Sequence, residues 1–202
     1  MDMEKIIKLY VKNSNISQLR DLLNNCDYTP VINYYIGYYG NMDLLKCPLL
    51  DLRNKQEIIR GALESKFDNL DVIRYIDDTS STKLKWQEIT NIAALNGKLA
   101  VVQYGVTKFE NNKESLRPVI LSALINNHNN IVKYILSREK FDEDIRFRLL
   151  CHAVQKYNAE AFKCVLNAGK YDYQKVVNFC IEIDNKEFIE YVNMHHPVLA
   201  YS

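Results

Sequence analysis

The chain has 202 residues, 48% of them hydrophobic and 25% charged, with a formal net charge of +1. Disorder needs few large apolar side chains and a strong net charge, so that class is excluded. The 26 basic residues barely outnumber the 25 acidic ones, which argues against a dedicated nucleic-acid binder and its basic excess.

Along the chain, one pattern recurs in seven copies. The first is Tyr10–Asp21 (YVKNSNISQLRD) and the second is Ile36–Cys47 (IGYYGNMDLLKC). The third, Ala62–Tyr75 (ALESKFDNLDVIRY), carries two extra residues in its middle. Then come Ala93–Tyr104 (AALNGKLAVVQY), Ala123–Tyr134 (ALINNHNNIVKY), Ala153–Cys164 (AVQKYNAEAFKC) and Cys180–Tyr191 (CIEIDNKEFIEY). The last residues of the copies fall at 21, 47, 75, 104, 134, 164 and 191, at intervals of 26, 28, 29, 30, 30 and 27. Such even spacing is the signature of a repeat architecture.

Each of the last four copies starts on a small residue, passes a polar turn and reaches two adjacent core residues. Those pairs are Val101-Val102, Ile131-Val132, Ala161-Phe162 and Phe188-Ile189. Ile89, Ile92 and Ala93 mark a helical face before the turn, and Leu99, Val102 and Val106 mark another after it. Asn96-Gly97, Asn126-Asn127, Tyr157-Asn158 and Asp184-Asn185 supply the turn, because Asn and Gly tolerate a left-handed backbone. Small Ala93, Ala123 and Ala153 let the two helices approach. A single pair cannot bury its own apolar stripe, so neighbouring pairs must stack. No sustained two-residue alternation calls for strands. The reading is an all-α solenoid of about seven helix-turn-helix repeats of 26–30 residues, a single array over 1–202. The repeats lie at 5–26, 30–52, 56–80, 86–110, 116–140, 146–169 and 173–194, with short loops and few or no β-hairpins.

Ala93, Ala94, Asn96, Gly97, Leu99, Val101 and Val102 resemble the ankyrin repeat: small residues, a turn glycine, then an aliphatic pair. Met42, Leu44 and Leu45 follow Gly40 in the same register. Gly169 is read as a C-cap ending a copy. The Thr-Pro-Leu-His start is absent in register, Thr29-Pro30 being two positions early, and the period is shorter than the ankyrin ~33. That shortfall falls on the hairpin finger between repeats. The pattern is similar to that of divergent ankyrin-like proteins of large DNA viruses: mimiviruses, poxviruses and the African swine fever virus multigene families. Richness in Asn, Ile, Lys and Tyr, which have AT-rich codons, agrees with such an origin. The resemblance implies a non-enzymatic scaffold for protein–protein interaction, host-directed and immune-modulating if viral.

No phosphate loop, dinucleotide fingerprint or H-E-x-x-H motif occurs, so no enzyme activity, cofactor or metal is assigned. Cys151 and His152 are adjacent on a helix, about 100° apart, with Cys151 expected inward and His152 outward. His195 and His196 read as solvated terminal residues. The other cysteines, Cys26, Cys47, Cys164 and Cys180, form no C-x-x-C, so reduced thiols in an intracellular, cytoplasmic setting are expected. No apolar run nears the ~18 residues that cross a bilayer, and the N-terminus, with Asp2 and Glu4, lacks a secretory signal. Lys108–Lys113 reads as a solvated loop, and Glu139, Asp142, Glu143 and Asp144 as an acidic inter-repeat loop.

The candidate partner site is aromatic. Tyr34, Tyr35, Tyr38 and Tyr39 fall in one helix, where 34/38 and 35/39 are i, i+4 pairs able to form two neighbouring columns. Ile36, at the register of Ala93, is expected in the core. That phase leaves Tyr35, Tyr38 and Tyr39 accessible and Tyr34 ambiguous. Trp86, the only tryptophan, is placed in the linker before the fourth copy as a further anchor. The expected partner is a protein, with no small-molecule substrate and no membrane. The alternative is a helical-repeat nucleic-acid binder, in which Asn-rich turns would read bases.

Overall fold

The computed structural model describes residues 2–25, 28–48, 50, 55–108 and 115–196. These carry fourteen helices and, among the described residues, no strand. The helices fall in pairs: α1 (Met3–Lys12) with α2 (Ile16–Asn25), α3 (Thr29–Tyr39) with α4 (Met42–Leu45), and α5 (Lys55–Glu64) with α6 (Leu70–Thr79). Then come α7 (Trp86–Leu95) with α8 (Leu99–Val106), α9 (Leu116–Ile125) with α10 (Asn129–Arg138), α11 (Glu143–Gln155) with α12 (Ala159–Leu166), and α13 (Tyr173–Glu182) with α14 (Lys186–His195). No helix among the described residues is long and apolar enough to cross a membrane.

The chain forms two compact units, Met1–Trp86 and Gln87–Ser202. In the first, each helix packs on its pair partner, and the first helices α1, α3 and α5 pack side by side. The α3–α5 approach is backbone to backbone. A Cβ at Gly37 would lie 1.9 Å from the Ile58 carbonyl oxygen, and one at Gly61 would lie 1.9 Å from the Tyr34 carbonyl oxygen. Two side chains of hydrogen alone make that crossing possible. In the second unit, the first helices α9, α11 and α13 pack in a row, and the second helices α8, α10 and α12 form another.

The turn between paired helices explains the sequence pattern. In the second copy, the Gly40 N–H donates to the Gly37 carbonyl, and the Asn41 N–H reaches the Ile36 carbonyl. This is the Schellman ending, which satisfies carbonyls that the helix leaves open. The same double bond closes α1, α7, α9, α11 and α13, with Tyr10, Ala93, Ala123, Ala153 and Cys180 accepting the longer bond. The residue that opens each repeat copy is therefore the acceptor of the turn. The left-handed position is held by Ser14, Gly40, Gly97, Asn127, Tyr157 and Asp184. The third copy, with its two extra residues, lacks this left-handed residue and turns otherwise.

In the second and sixth copies the residue after the left-handed position caps the second helix and also reaches back to the previous turn. Asn41 Oδ1 accepts from the Leu44 N–H at 3.0 Å while its Nδ2 donates to the Val11 carbonyl at 2.8 Å. Asn158 Oδ1 accepts from the Ala161 N–H, and its Nδ2 donates to Asn127 and Asn129 Oδ1 at 2.9 and 2.8 Å. Asn69 Nδ2 donates to the Gly37 and Tyr38 carbonyls, and His128 Nε2 lies 3.0 Å from the Leu95 carbonyl oxygen. At Asn41 and Asn158 one side chain thus serves both the helix start and the stacking of successive copies, whereas Asn69 and His128 serve the stacking alone.

The core follows the same register. Ile36, Ala62, Ala93, Ala123, Ala153 and Cys180 are buried, as are Leu44-Leu45, Val72-Ile73, Val101-Val102, Ile131-Val132 and Ala161-Phe162. In the last pair Phe188 is buried, stacked on Phe162 at 4.4 Å, but Ile189 is only half-buried. Gly169 does not have a left-handed backbone, contrary to its reading as a cap. The Arg146 guanidinium fills the space beside it, 2.6 Å from where a Cβ would stand. The acidic run is not all loop either: Asp142 caps α11, and Glu143 and Asp144 occupy its first turn, where the helix dipole favours negative charge. The Lys108–Lys113 loop lies largely outside the described residues.

Candidate partner-binding surface

Helix α3 starts on Thr29-Pro30, whose fixed φ suits the first turn, and ends at the left-handed Gly40. Between them the four tyrosines form the two expected columns. Tyr34 stacks on Tyr38 with ring centroids 5.9 Å apart, and Tyr35 on Tyr39 at 6.1 Å. The columns meet edge-on: Tyr34–Tyr35 are 5.1 Å apart and Tyr38–Tyr39 5.4 Å. Offset stacks and edge-to-face contacts are the geometries that ring quadrupoles favour.

Charged residues of the neighbouring first helices bracket this array. From α1, Lys8 Nζ lies over the Tyr35 ring at 5.0 Å, and Glu4 accepts the Tyr35 hydroxyl hydrogen. From α5, the Arg60 guanidinium lies over the Tyr34 ring at 5.1 Å, and Glu64 Oε2 accepts from the Tyr34 hydroxyl at 3.0 Å. The cations are themselves paired, Lys8 with Glu4 at 3.0 Å and Arg60 with Glu57 at 2.8 Å. Burial, then the bond to Glu64, pushes Tyr34 up to about 12. Burial first, and then the bond to Glu4, also raises Tyr35. The hydrogen bond from Tyr35, ahead of the contacts with Lys8, holds the Glu4 carboxyl below its usual range. Both phenols are therefore neutral donors at ordinary pH.

Tyr35 is only 8% exposed, which corrects its expected accessibility. The helix phase placed it 100° from Ile36, but α1 packs against that side and covers it with Glu4 and Lys8. Asn33 and Gly37 are buried on the same helix. Tyr34, Tyr38 and Tyr39 are half-buried. The Tyr38 and Tyr39 hydroxyls hold no hydrogen bond among the described residues, so each offers one. Trp86 is not in a linker: it is the first residue of α7, half-buried, with its indole N–H donated to Asp77 Oδ1 at 3.1 Å. The array is built without it.

The flanking charges were missed. They were legible across copies rather than along one: Lys8, Tyr34 and Arg60 each stand two residues before the residue that opens a copy, Tyr10, Ile36 and Ala62. Stacked copies set such residues side by side.

Cys151 and His152 are both half-buried rather than one in and one out. Burial pushes the Cys151 thiol up to about 11, so it stays protonated and is a poor nucleophile. His195 stacks on Tyr191 at 4.2 Å and His196 on Tyr173 at 4.1 Å, so each packs on its own ring. No group of three or more His, Cys, Asp or Glu among the described residues could hold a metal ion. No family model, curated protein or solved structure matches this chain.

Proposed function

We propose that this chain is a non-enzymatic, ankyrin-like helical-repeat module that binds another protein through the α3 tyrosine array. The observation that carries the reading is the pair Tyr38 and Tyr39: partly exposed rings, already locked in stacks, with hydroxyls that nothing among the described residues engages. Tyrosines of this kind are typical binding hot spots, because they bury area and add a hydrogen bond at small entropic cost. Paired helices with one turn design and one turn-to-turn bond support the repeat reading. A host-directed role, as in ankyrin-like proteins of large DNA viruses, extends this proposal by resemblance.

Nucleic-acid binding is the competing reading. Lys8 and Arg60 are neutralised by Glu4, Glu57 and Glu64, which leaves the array little counterion release to drive binding. The test is affinity capture with the native chain and with Tyr38→Ser/Tyr39→Ser, followed by binding isotherms for the captured protein. The double variant is expected to weaken binding by ~2 kcal/mol or more with its melting temperature nearly unchanged. Equal affinity for both chains would overturn the reading, as would binding to RNA or DNA that falls steeply with salt.

A further inference from the structure

The second unit carries a cleft of about 410 Å³ along α11 and α13. Asp144, Phe147, Arg148, Cys151 and His152 line it from α11, and Lys175 lines it from α13. Arg148 and Lys175 occupy one register, each five residues before the residue that opens its copy, Ala153 and Cys180. They therefore stand across from one another on two packed helices. Both are exposed, and among the described residues neither carries an ion pair. Asp144 is the sole acid of the lining, and it belongs to the first turn of α11, where the helix dipole already favours it. Half-buried Cys151, protonated, and half-buried Phe147 are the least polar groups of the lining.

We propose that this cleft binds an extended acidic peptide segment, whose carboxylates pair with Arg148 and Lys175. The spacing sets the motif. Packed helices are about 8–10 Å apart, and an extended chain rises about 3.3 Å per residue. Alternate side chains of an extended chain share one face, so two acidic side chains separated by one residue can each meet one of the two cations. A nucleic acid fits less well. Its bases need a free aromatic face for stacking, and Lys175 Nζ already lies over the Phe147 ring at 4.4 Å. The edge-on contact of Phe147 with Phe179, at 6.3 Å, holds that ring further. This cleft is independent of the tyrosine array, and either proposal can fail alone.

The experiment is selection of random twelve-residue peptides displayed on phage against the full chain and against Arg148→Gln/Lys175→Gln. Those substitutions are on exposed side chains and keep much of their length, and circular dichroism checks the fold. The native chain is expected to select peptides with two Asp or Glu separated by one residue. A synthetic peptide of that consensus should bind the double variant about tenfold more weakly or worse. It should also shift the amide resonances of 144–155 and Lys175 and leave those of α3 unmoved. Selection of no acidic motif, equal binding by the variant, or shifts elsewhere would each overturn the proposal. So would an oligothymidine probe that displaces the peptide and binds at least as tightly.

Discussion

Among the four tyrosines, exposure differs between neighbours on one helix, and so should the consequences of replacing them. Tyr35→Ser removes a buried ring, its bond to Glu4 and its contact with Lys8. Urea unfolding should show a loss of about 3 kcal/mol, as for other buried aromatic truncations. Tyr39→Ser should cost less than about 1 kcal/mol, because its ring is half-buried and its hydroxyl is unengaged among the described residues. Equal losses would refute the burial difference. Tyr171 gives a titration test. It is buried, donates to the Val165 carbonyl at 2.5 Å, and burial pushes it up to about 12. A phenol whose folded pKa is raised lends stability that is complete below its unfolded value, ~10, and is lost as pH climbs to about 12. Tyr171→Phe should cost about 1 kcal/mol at pH 7 for the missing bond and should flatten the fall in stability between pH 10 and 12. The helix phase was legible from Ile36 in the sequence, and both ring columns followed from i, i+4 spacing. The cover over Tyr35 was not, because a phase angle says which way a side chain leaves its helix and nothing of what packs there.

For the helices, small residues and turns decide how pairs meet. Ala123 and Ala153, buried as expected, should accept no larger side chain; Ala123→Leu should cost roughly 1–3 kcal/mol by overpacking. Gly37 and Gly61 are the more severe case, since the atoms in the way are main-chain carbonyl oxygens that cannot swing aside. Gly37→Ala should destabilise the chain by about 3 kcal/mol, read from the urea midpoint. The sequence displayed both glycines, but a lone glycine in a helical pattern reads equally as a weak point and as a crossing; its partner on α5 decides. Tyr157 runs the other way. It holds a left-handed φ of 52° while its side chain is 69% exposed, so the ring gains little for the strain. Tyr157→Gly should raise stability by about 1 kcal/mol, seen as a higher melting temperature. No gain would mean that the ring makes a contact worth the strain.

At the scale of the whole molecule, the two compact units each hold their own buried residues. Local opening should respect that division. In the full chain, Gly37→Ala should speed amide hydrogen exchange across α3 and α5 and leave α9 through α14 at their native rates. Uniform acceleration over all fourteen helices would show a single cooperative block instead. The seven-copy period was legible because six of the copies present the same acceptor and left-handed residue to their turns. The division into units was not, because the period runs evenly across Trp86. The third turn carries a consequence for length. Between α5 and α6 the chain is two residues longer than in its sister copies, yet Asn69 still reaches the Gly37 and Tyr38 carbonyls. Alignment of that copy is thus secured by the Asn69 amide and by the buried Ser65 hydroxyl, which donates to the Tyr38 carbonyl at 2.6 Å, rather than by the span of the loop that delivers them. The exposed tip at Lys66–Phe67 is therefore a natural point for foreign sequence: a tag or label spliced in there would add loop without disturbing the frame, provided Ser65 and Asn69 are kept.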